Sequence, residues 1–297
     1  MRFDEIMNQI SICDREIRLN QLRVKIPSDI CKIDDPVVAN KRLVKFLTNV
    51  IYLELHLCVK YFKSDDQPFK SYFDVAEEEI IFLLNRCNLG GARIDDNWIC
   101  EELSADEVLA KNTKTGIEVR IPRFSILNSK IAKGDFLRVT MPNHSLFASP
   151  GYYVAQGGSG PPKESASEKI IRIYFNSNLA GACKLMILLT SLAKENCIKI
   201  QIKASNNHEG YNRADSLVLF LSQADLIRFE VELEYIFLQC ENELANTVSL
   251  FCKKIFPGVG VAEELFSNQK IKKSFGELAS SELAGLIVSK HYKELLI

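Results

Sequence analysis

Hydrophobic and polar residues alternate along two short runs of the chain, residues 170–176 and 197–205. This period of two is typical of a β-strand with one buried face. The residues between the two runs, 179–196, predict a helix, and a third strand follows at 213–222 after a short loop. Residues 169–222 therefore predict one unit of strand, helix, strand, loop and strand, around which the rest of the chain is organised.

The polar face of this predicted sheet carries the clearest candidate chemistry. Arg172 and Tyr174 share one face of the first strand, and Lys203 lies on the corresponding face of the second strand. Arg213 opens the third strand, so three basic side chains can meet on one sheet surface. Basic groups on fixed strands suit the binding of phosphate or carboxylate. A solvated sheet face is the plainer interpretation of the same spacing.

The first 90 residues predict a helical N-terminal subdomain, used for packing or for partner recognition. Apolar residues recur at three- and four-residue spacing, and Asp35 followed by Pro36 is a typical helix start. His56 lies inside the second helix, where a lone histidine is more often packed than catalytic. Three helices are predicted, over residues 3–22, 37–62 and 72–87.

From residue 90 to residue 141 the pattern predicts short antiparallel strands joined by turns. Trp98 is expected in a core, and Arg120, Arg123 and Arg138 are expected to face outward. Residues 152–156 predict another strand, and Tyr153 on it is a candidate for the polar face. We predict an α+β domain over residues 91–297, with a mixed, largely antiparallel sheet flanked by helices.

The composition argues against several classes of function. The 297 residues carry a net charge of −1, so no global basic field attracts nucleic acid or an anionic membrane. The nine cysteines form no C-x-x-C pair, and the four histidines lack ligand spacing, which predicts free thiols and no metal or cofactor. Without a signal-peptide core or a membrane-length apolar run, we expect a cytoplasmic protein. Secretion into a host cell stays open, because type III signals have no firm pattern.

Three segments in a fixed order suggest a family. They are PGYYVAQGG at 150–158, the strand–helix–strand unit through RADSLVLFLS at 213–222, and IFPGVGVAEELFSNQKIKKSFG at 255–276. Together they resemble the HopA family, which includes type III effectors of plant-pathogenic bacteria. They are also similar to the lyase component of class V lanthipeptide and thioamitide biosynthesis. The resemblance covers roughly residues 147–276.

The resemblance implies a metal-independent lyase that removes phosphate from phosphoserine or phosphothreonine in a peptide. The products would be dehydroalanine or dehydrobutyrine. The implied partners are a phosphorylated or precursor peptide and a kinase-like phosphotransferase that acts first, or a host protein if the chain is secreted. The alternative is a non-catalytic effector or peptide-binding protein that engages a host or precursor-peptide partner.

The residues of the polar face fit such an elimination, which needs a base on one side and cations on the other. Lys203 is the candidate base. A free lysine pKa of about 10.4 is too high for that role, but burial and neighbouring cations can lower it to about 7–8. Arg172 and Arg213 would hold the phosphate in fork geometry, and Tyr174 would donate a proton or hydrogen bond to the leaving oxygen.

The chain departs from the related patterns at two places. Phosphothreonine lyase effectors carry Lys-x-His in a comparable strand, whereas this strand has Arg172 and Tyr174. His208 and His144 are the alternative acids, although an exposed loop position is the plainer expectation for His208. Glu263 is a candidate to orient a basic site residue, or else part of a structural turn.

The second departure follows the SFG motif at 274–276. Relatives commonly have basic residues there, whereas this chain has Glu277. The change bears on substrate contacts or on activity itself.

Overall fold

The computed structural model describes residues 3–19, 22–59, 76–146, 148–157, 159–162, 168–263 and 274–296. The first half contains α1 (Phe3–Met7), β1 (Ser11–Cys13), β2 (Glu16–Leu19), β3 (Leu22–Lys25), α2 (Ser28–Cys31), α3 (Pro36–Ile51), a π turn (Tyr52–His56), α4 (Glu78–Cys87), β4 (Arg93–Leu103), β5 (Glu107–Asn112), β6 (Glu118–Pro122), β7 (Phe136–Met141) and β8 (His144–Ser145). The second half contains β9 (Tyr152–Gln156), β10 (Ile170–Phe175), α5 (Leu179–Glu195), β11 (Gln201–Ser205), β12 (Leu217–Ser222), α6 (Gln223–Arg228), α7 (Glu230–Gln239), β13 (Lys253–Phe256), β14 (Val259–Glu263) and α8 (Phe275–Leu296). The predicted α+β class is confirmed.

The largest sheet has the strand order β13-β14-β10-β12-β11-β9-β8, and all its pairs are antiparallel. The predicted unit at 169–222 supplies β10, α5, β11 and β12, as expected. Ile173 and Ile202 face α5 and are fully buried, whereas Arg172 and Lys203 point to the opposite face. The period of two in the sequence thus correctly assigns the two faces of these strands.

The predicted helix over residues 3–22 is wrong beyond Met7. The chain instead forms the three-stranded antiparallel sheet β1-β2-β3. Asp14 and Arg15 have φ values of 51° and 60°, which is the backbone of a tight two-residue hairpin turn. Leu19 and Val24 are buried, whereas the residues before them on the same strands, Arg18 and Arg23, are exposed. This alternation of buried and exposed residues is typical of strands and not of a helix.

The second predicted helix begins where the sequence indicates. Asp35 accepts hydrogen bonds from the backbone N–H groups of Val37 (2.8 Å) and Val38 (3.3 Å), and Pro36 is the first helical residue. The helix α3 ends at Ile51 and passes into the π turn. Residues 60–62 and 72–75 of the predicted helices lie outside the described residues.

The two ends of the chain share one hydrophobic core. Leu43 and Leu47 of α3 are buried together with Leu283 and Ile287 of α8. This packing places α3, the π turn and the start of α8 over the polar face of the large sheet. The remaining sheet, β6-β5-β4-β7, has its own core around Trp98 and exposes Arg120, Arg123 and Arg138, as predicted.

Candidate functional site

A cleft of about 460 Å³ opens on the polar face of the large sheet. Its floor comes from β9, β10, β11 and β12, and its walls come from the end of α3, the π turn, the loop before β9 and the first turn of α8. The lining residues are Thr48, Asn49, Tyr52, His56, Ser149, Pro150, Tyr152, Arg172, Tyr174, Lys203, Asp215, Val218, Phe220, Ser274, Gly276 and Glu277.

Two predicted cations meet over one aromatic ring in this cleft. The guanidinium carbon of Arg172 lies 5.1 Å from the ring centroid of Phe220, and Nζ of Lys203 lies 5.4 Å from the same centroid. Register explains the arrangement, because Phe220 is directly opposite Arg172, and Lys203 is opposite Val218, two residues along β12. Nζ of Lys203 also donates a hydrogen bond to Oγ of Ser149 (3.3 Å). The cleft therefore presents two positive groups on a rigid sheet.

Tyr174 lies beside these cations, as the alternation predicts. Its side chain is buried, and its ring meets that of His56 edge-on with centroids 5.5 Å apart. Burial raises the pKa of the Tyr174 phenol, and the positive charge of Arg172 only partly opposes this effect. The phenol therefore keeps its proton at neutral pH and can act as a donor.

Arg213 lies behind the cleft in a buried ion pair. Its Nε and Nη2 donate to Oδ1 (2.8 Å) and Oδ2 (2.7 Å) of Asp215, and Nη2 also donates to Oη of Tyr152 (2.6 Å). Burial opposes the ionisation of Asp215, but Arg213 outweighs it and holds the carboxyl pKa below its ordinary value. Arg213 precedes β12 instead of opening it. The structure thus places the guanidinium of Arg213, a predicted phosphate contact, on Asp215 and Tyr152, and Arg213 is not among the residues that line the cleft.

Tyr153 does not reach the cleft. It is fully buried on the opposite face of β9, where its hydroxyl bonds Asn85 (3.1 Å) and Asn88 (3.2 Å). His144 stacks on the Tyr153 ring at a centroid distance of 5.3 Å and belongs to the same region. Successive side chains of a strand point to opposite faces of the sheet. Because Tyr152 lies on the polar face of β9, Tyr153 must face the core.

His208 and Glu263 also lie outside the cleft. His208 is exposed, and its backbone N–H and ring bond the carboxylate of Glu77. Glu263 is exposed at the end of β14, where it accepts a hydrogen bond from Lys169 (2.9 Å). Neither residue contacts a cation of the cleft, so the predicted roles of His208 as acid and Glu263 as orienting group do not fit this geometry.

His56 is the residue that the sequence interpretation set aside and the fold brings into the cleft. Its ring is 2 % exposed, and Nδ1 lies 2.9 Å from Oγ of Ser249. Backbone bonds from Leu250 to Leu55 (2.8 Å) and from Ala214 to Leu57 (2.9 Å) attach the π turn to the rest of the fold. A sequence signal existed in the i, i+4 spacing of Tyr52 and His56, which places both rings on one side of a helical turn.

Metal binding and membrane insertion find no support in the described parts of the chain. Within those ranges, no group of three or more His, Cys, Asp or Glu side chains is arranged to hold a metal ion. None of the helices there combines the length and the apolar character that a membrane crossing requires. The ionisable side chains that line the cleft are basic, phenolic, imidazole and carboxylate groups: Arg172, Lys203, Tyr52, Tyr152, Tyr174, His56, Asp215 and Glu277.

Comparison of the sequence with known protein families places this chain in a family. A search of curated proteins found no match. Two solved structures are similar over 86 % of the chain, both with a TM-score of 0.43. They are effector proteins from Pseudomonas syringae pv. tomato strain DC3000 (14 % identity, 86 % of its chain) and Pseudomonas syringae pv. syringae strain 61 (10 % identity, 87 % of its chain). The sequence model of the HopA1 effector protein family matches residues 141–292, which is more than half of the chain. The predicted resemblance is confirmed: the chain belongs to the HopA1 effector protein family.

Proposed function

We propose that the protein is a metal-independent lyase that eliminates phosphate from phosphoserine or phosphothreonine in a peptide. The observation that carries the proposal is the placement of Lys203 and Arg172 around Phe220, with Tyr174 beside them. A base, a fixed cation and a protonated phenol are the groups that a β-elimination requires.

In the proposed reaction, Nζ of Lys203 removes the Cα proton of the phosphorylated residue. The electron pair of the former Cα–H bond forms the Cα–Cβ double bond. The Cβ–O bond breaks, and the phosphate leaves with the electron pair of that Cβ–O bond. Tyr174 protonates the leaving oxygen and regains a proton from the lysine, so the products are a dehydroamino acid and hydrogen phosphate. Arg172 stabilises the charge on the phosphate by donating from a planar guanidinium.

The first turn of α8 adds a favourable field for the same anion. Ser274 and Gly276 line the cleft at the N-terminus of this long helix, where backbone N–H groups and the helix dipole favour negative charge. The carboxylate of Glu277 also faces the cleft, but it accepts a hydrogen bond from the N–H of Ser274 (2.8 Å) in a capping arrangement. That bond offsets part of its repulsion toward phosphate.

Mass spectrometry tests the proposal directly. The full chain is incubated, without metal or nucleotide, with phosphoserine and phosphothreonine peptides and with a precursor peptide phosphorylated by its cognate kinase. We expect the loss of one phosphoric acid per site, and a fall of at least about 100-fold in Lys203→Ala. Lys199→Ala, an exposed lysine just before the same strand, is the matched control. Elimination that survives Lys203→Ala keeps the function and removes the lysine as base.

Phosphopeptide binding without turnover is the second candidate. The observation that favours it is the ion pair of the Arg213 guanidinium with Asp215. Arg172 is then the only arginine among the described residues that line the cleft. Wild-type protein that binds the phosphopeptide in calorimetry, yet leaves its mass unchanged, would establish this function and overturn the lyase.

The proposed partners follow from the same chemistry. A kinase-like phosphotransferase would supply the phosphopeptide, which is either a biosynthetic precursor or a protein of a host cell. Membership of an effector family supports synthesis in the cytoplasm followed by delivery into a host. Co-purification of the chain with a kinase-like phosphotransferase from the same cell would test the biosynthetic arrangement.

A further inference from the structure

His56 is the only one of the four histidines, all in described parts of the chain, that lines the cleft. One edge of its ring faces Ser249, whose Oγ lies 2.9 Å from Nδ1. The other edge faces the first turn of α8, where a Cβ built on Gly276 would fall 2.3 Å from Nε2. The two ring nitrogens therefore have different surroundings, one in the protein interior and one at the cleft wall.

The hydrogen bonds of Ser249 indicate which nitrogen carries the proton. Its Oγ accepts a hydrogen bond from the N–H of Phe251 (3.3 Å), and its own hydrogen can go to Nδ1 of His56 or to the thiol of Cys252. An imidazole nitrogen is a stronger acceptor than a thiol sulfur. The hydroxyl therefore donates to Nδ1, which leaves the ring proton on Nε2.

The charges around His56 keep its ring neutral. Burial lowers its pKa to about 4, Arg213 and Arg172 act in the same direction, and the carboxylate of Asp215 opposes them. A neutral imidazole with hydrogen on Nε2 offers a donor without adding a third buried positive charge beside the two arginines.

We propose that His56 is a neutral hydrogen-bond donor of the cleft, whose Nε2–H binds an oxygen of a phosphate group held by Arg172 and Lys203. The inference rests on the phosphate-binding part of the proposed function and does not require turnover. A fixed donor that needs no reorientation contributes to anion binding in both the lyase and the binding protein. Ser249 acts through His56 as a positioning residue that sets the tautomer.

Nitrogen NMR of the full chain, labelled at histidine and titrated with inorganic phosphate, tests this directly. The spectrum distinguishes an Nε2–H ring from an Nδ1–H ring and from an imidazolium. His56→Gln identifies the His56 signals, and if that variant does not fold, His144→Gln, His208→Gln and His291→Gln identify them by elimination. We expect the Nε2–H form at neutral pH and a phosphate-dependent shift at Nε2 of His56 alone.

Calorimetric titration with inorganic phosphate measures the size of the effect. His56→Gln should weaken phosphate binding about tenfold, the loss of one good hydrogen bond, whereas His208→Gln should leave it unchanged. Ser249→Ala should leave His56 in place but give a mixture of tautomers. An Nδ1–H ring, an imidazolium, or an Nε2 signal that phosphate does not shift overturns the proposal. A phosphate response without elimination from any phosphopeptide supports this inference and overturns the lyase.

Discussion

Gly276 and His56 are in contact across the cleft wall, so closely that no side chain fits between them. A Cβ at position 276 would lie 2.2 Å from Cδ2 of the His56 ring, a separation that real Cβ atoms essentially never show. The contact joins the start of α8 to the π turn. Position 276 therefore requires glycine, because the His56 ring leaves no room for a Cβ atom. This is a physical reason for the glycine of the SFG motif.

The first prediction concerns this contact. Gly276→Ala should destabilise the protein by about 1–3 kcal/mol, because the imidazole or the helix must move to admit a methyl group. It should also reduce phosphate binding in the cleft. Urea unfolding measures the first effect. Gly285→Ala in the same helix is the control, since apart from its chain neighbours and the helix's own backbone no atom lies within 4 Å of its Cβ position, and it should stabilise by about 0.4–1 kcal/mol. Equal effects at the two positions would contradict the contact.

Asp215→Asn should be strongly destabilising at neutral pH. The substitution leaves the buried Arg213 without its counter-charge, at a cost of about 3–5 kcal/mol in the free energy of unfolding. Because the folded-state pKa of Asp215 is depressed, its stabilisation is fully present above the ordinary carboxyl value of 3.8 and is lost as pH falls through the folded value. The free energies of unfolding of wild type and Asp215→Asn should therefore become equal in acid.

Urea unfolding at several pH values checks the effect of Asp215→Asn. Glu263→Gln is the matched control, because its pairing with Lys169 is exposed and should be worth at most about 1 kcal/mol. A difference between wild type and Asp215→Asn that stays constant down to pH values below 3.8 would argue against the ion pair as its cause.

His56 should make stability depend on pH in mildly acidic solution. Its pKa is lowered from 6.5 to about 4 in the folded state, so the unfolded chain binds more protons between these values. The stabilisation is complete above pH 6.5 and is lost as pH falls toward 4, by on the order of 3 kcal/mol. Unfolding free energies of His56→Gln should show a flatter slope in this window than those of wild type.

Arg172→Lys should weaken phosphopeptide binding although the charge is kept. A lysine cannot reproduce the planar fork that donates two hydrogen bonds to phosphate, so we expect a loss of about tenfold in affinity by calorimetry. Arg138→Lys, on the exposed face of the β4–β7 sheet, should have no effect. Full affinity in Arg172→Lys would mean that charge alone holds the phosphate.

The strands of the large sheet were predictable because one face of each strand is apolar and packs against α5. Alternation correctly places Arg172, Tyr174 and Lys203 on one surface, and register then brings them together. The sequence does not show which residues of β9 face the cleft, since Tyr152 and Tyr153 are adjacent and both aromatic. The hydroxyl of Tyr152 donates a hydrogen bond to Asp215 and accepts one from Arg213, and these bonds hold Tyr152 on the cleft face.

The contribution of the N-terminal segment was not predictable from local pattern. His56 reaches the cleft because α3 and α8 pack together, and that contact joins residues from opposite ends of the chain. The hairpin at Asp14 and Arg15 was missed for a different reason. Its turn residues adopt positive φ without a glycine to signal it, so the helical interpretation of residues 3–22 met no obvious contradiction.

The shared core of α3 and α8 has a practical consequence for the family domain. The matched region, residues 141–292, contains Arg172 and Lys203 but not Tyr52 or His56. A fragment cut at residue 141 would keep the cationic floor, lose one wall of the cleft, and expose the apolar side of α8 to water. The region that the family model matches is thus smaller than the unit that forms the whole cleft, and the N-terminal segment supplies the wall that completes it.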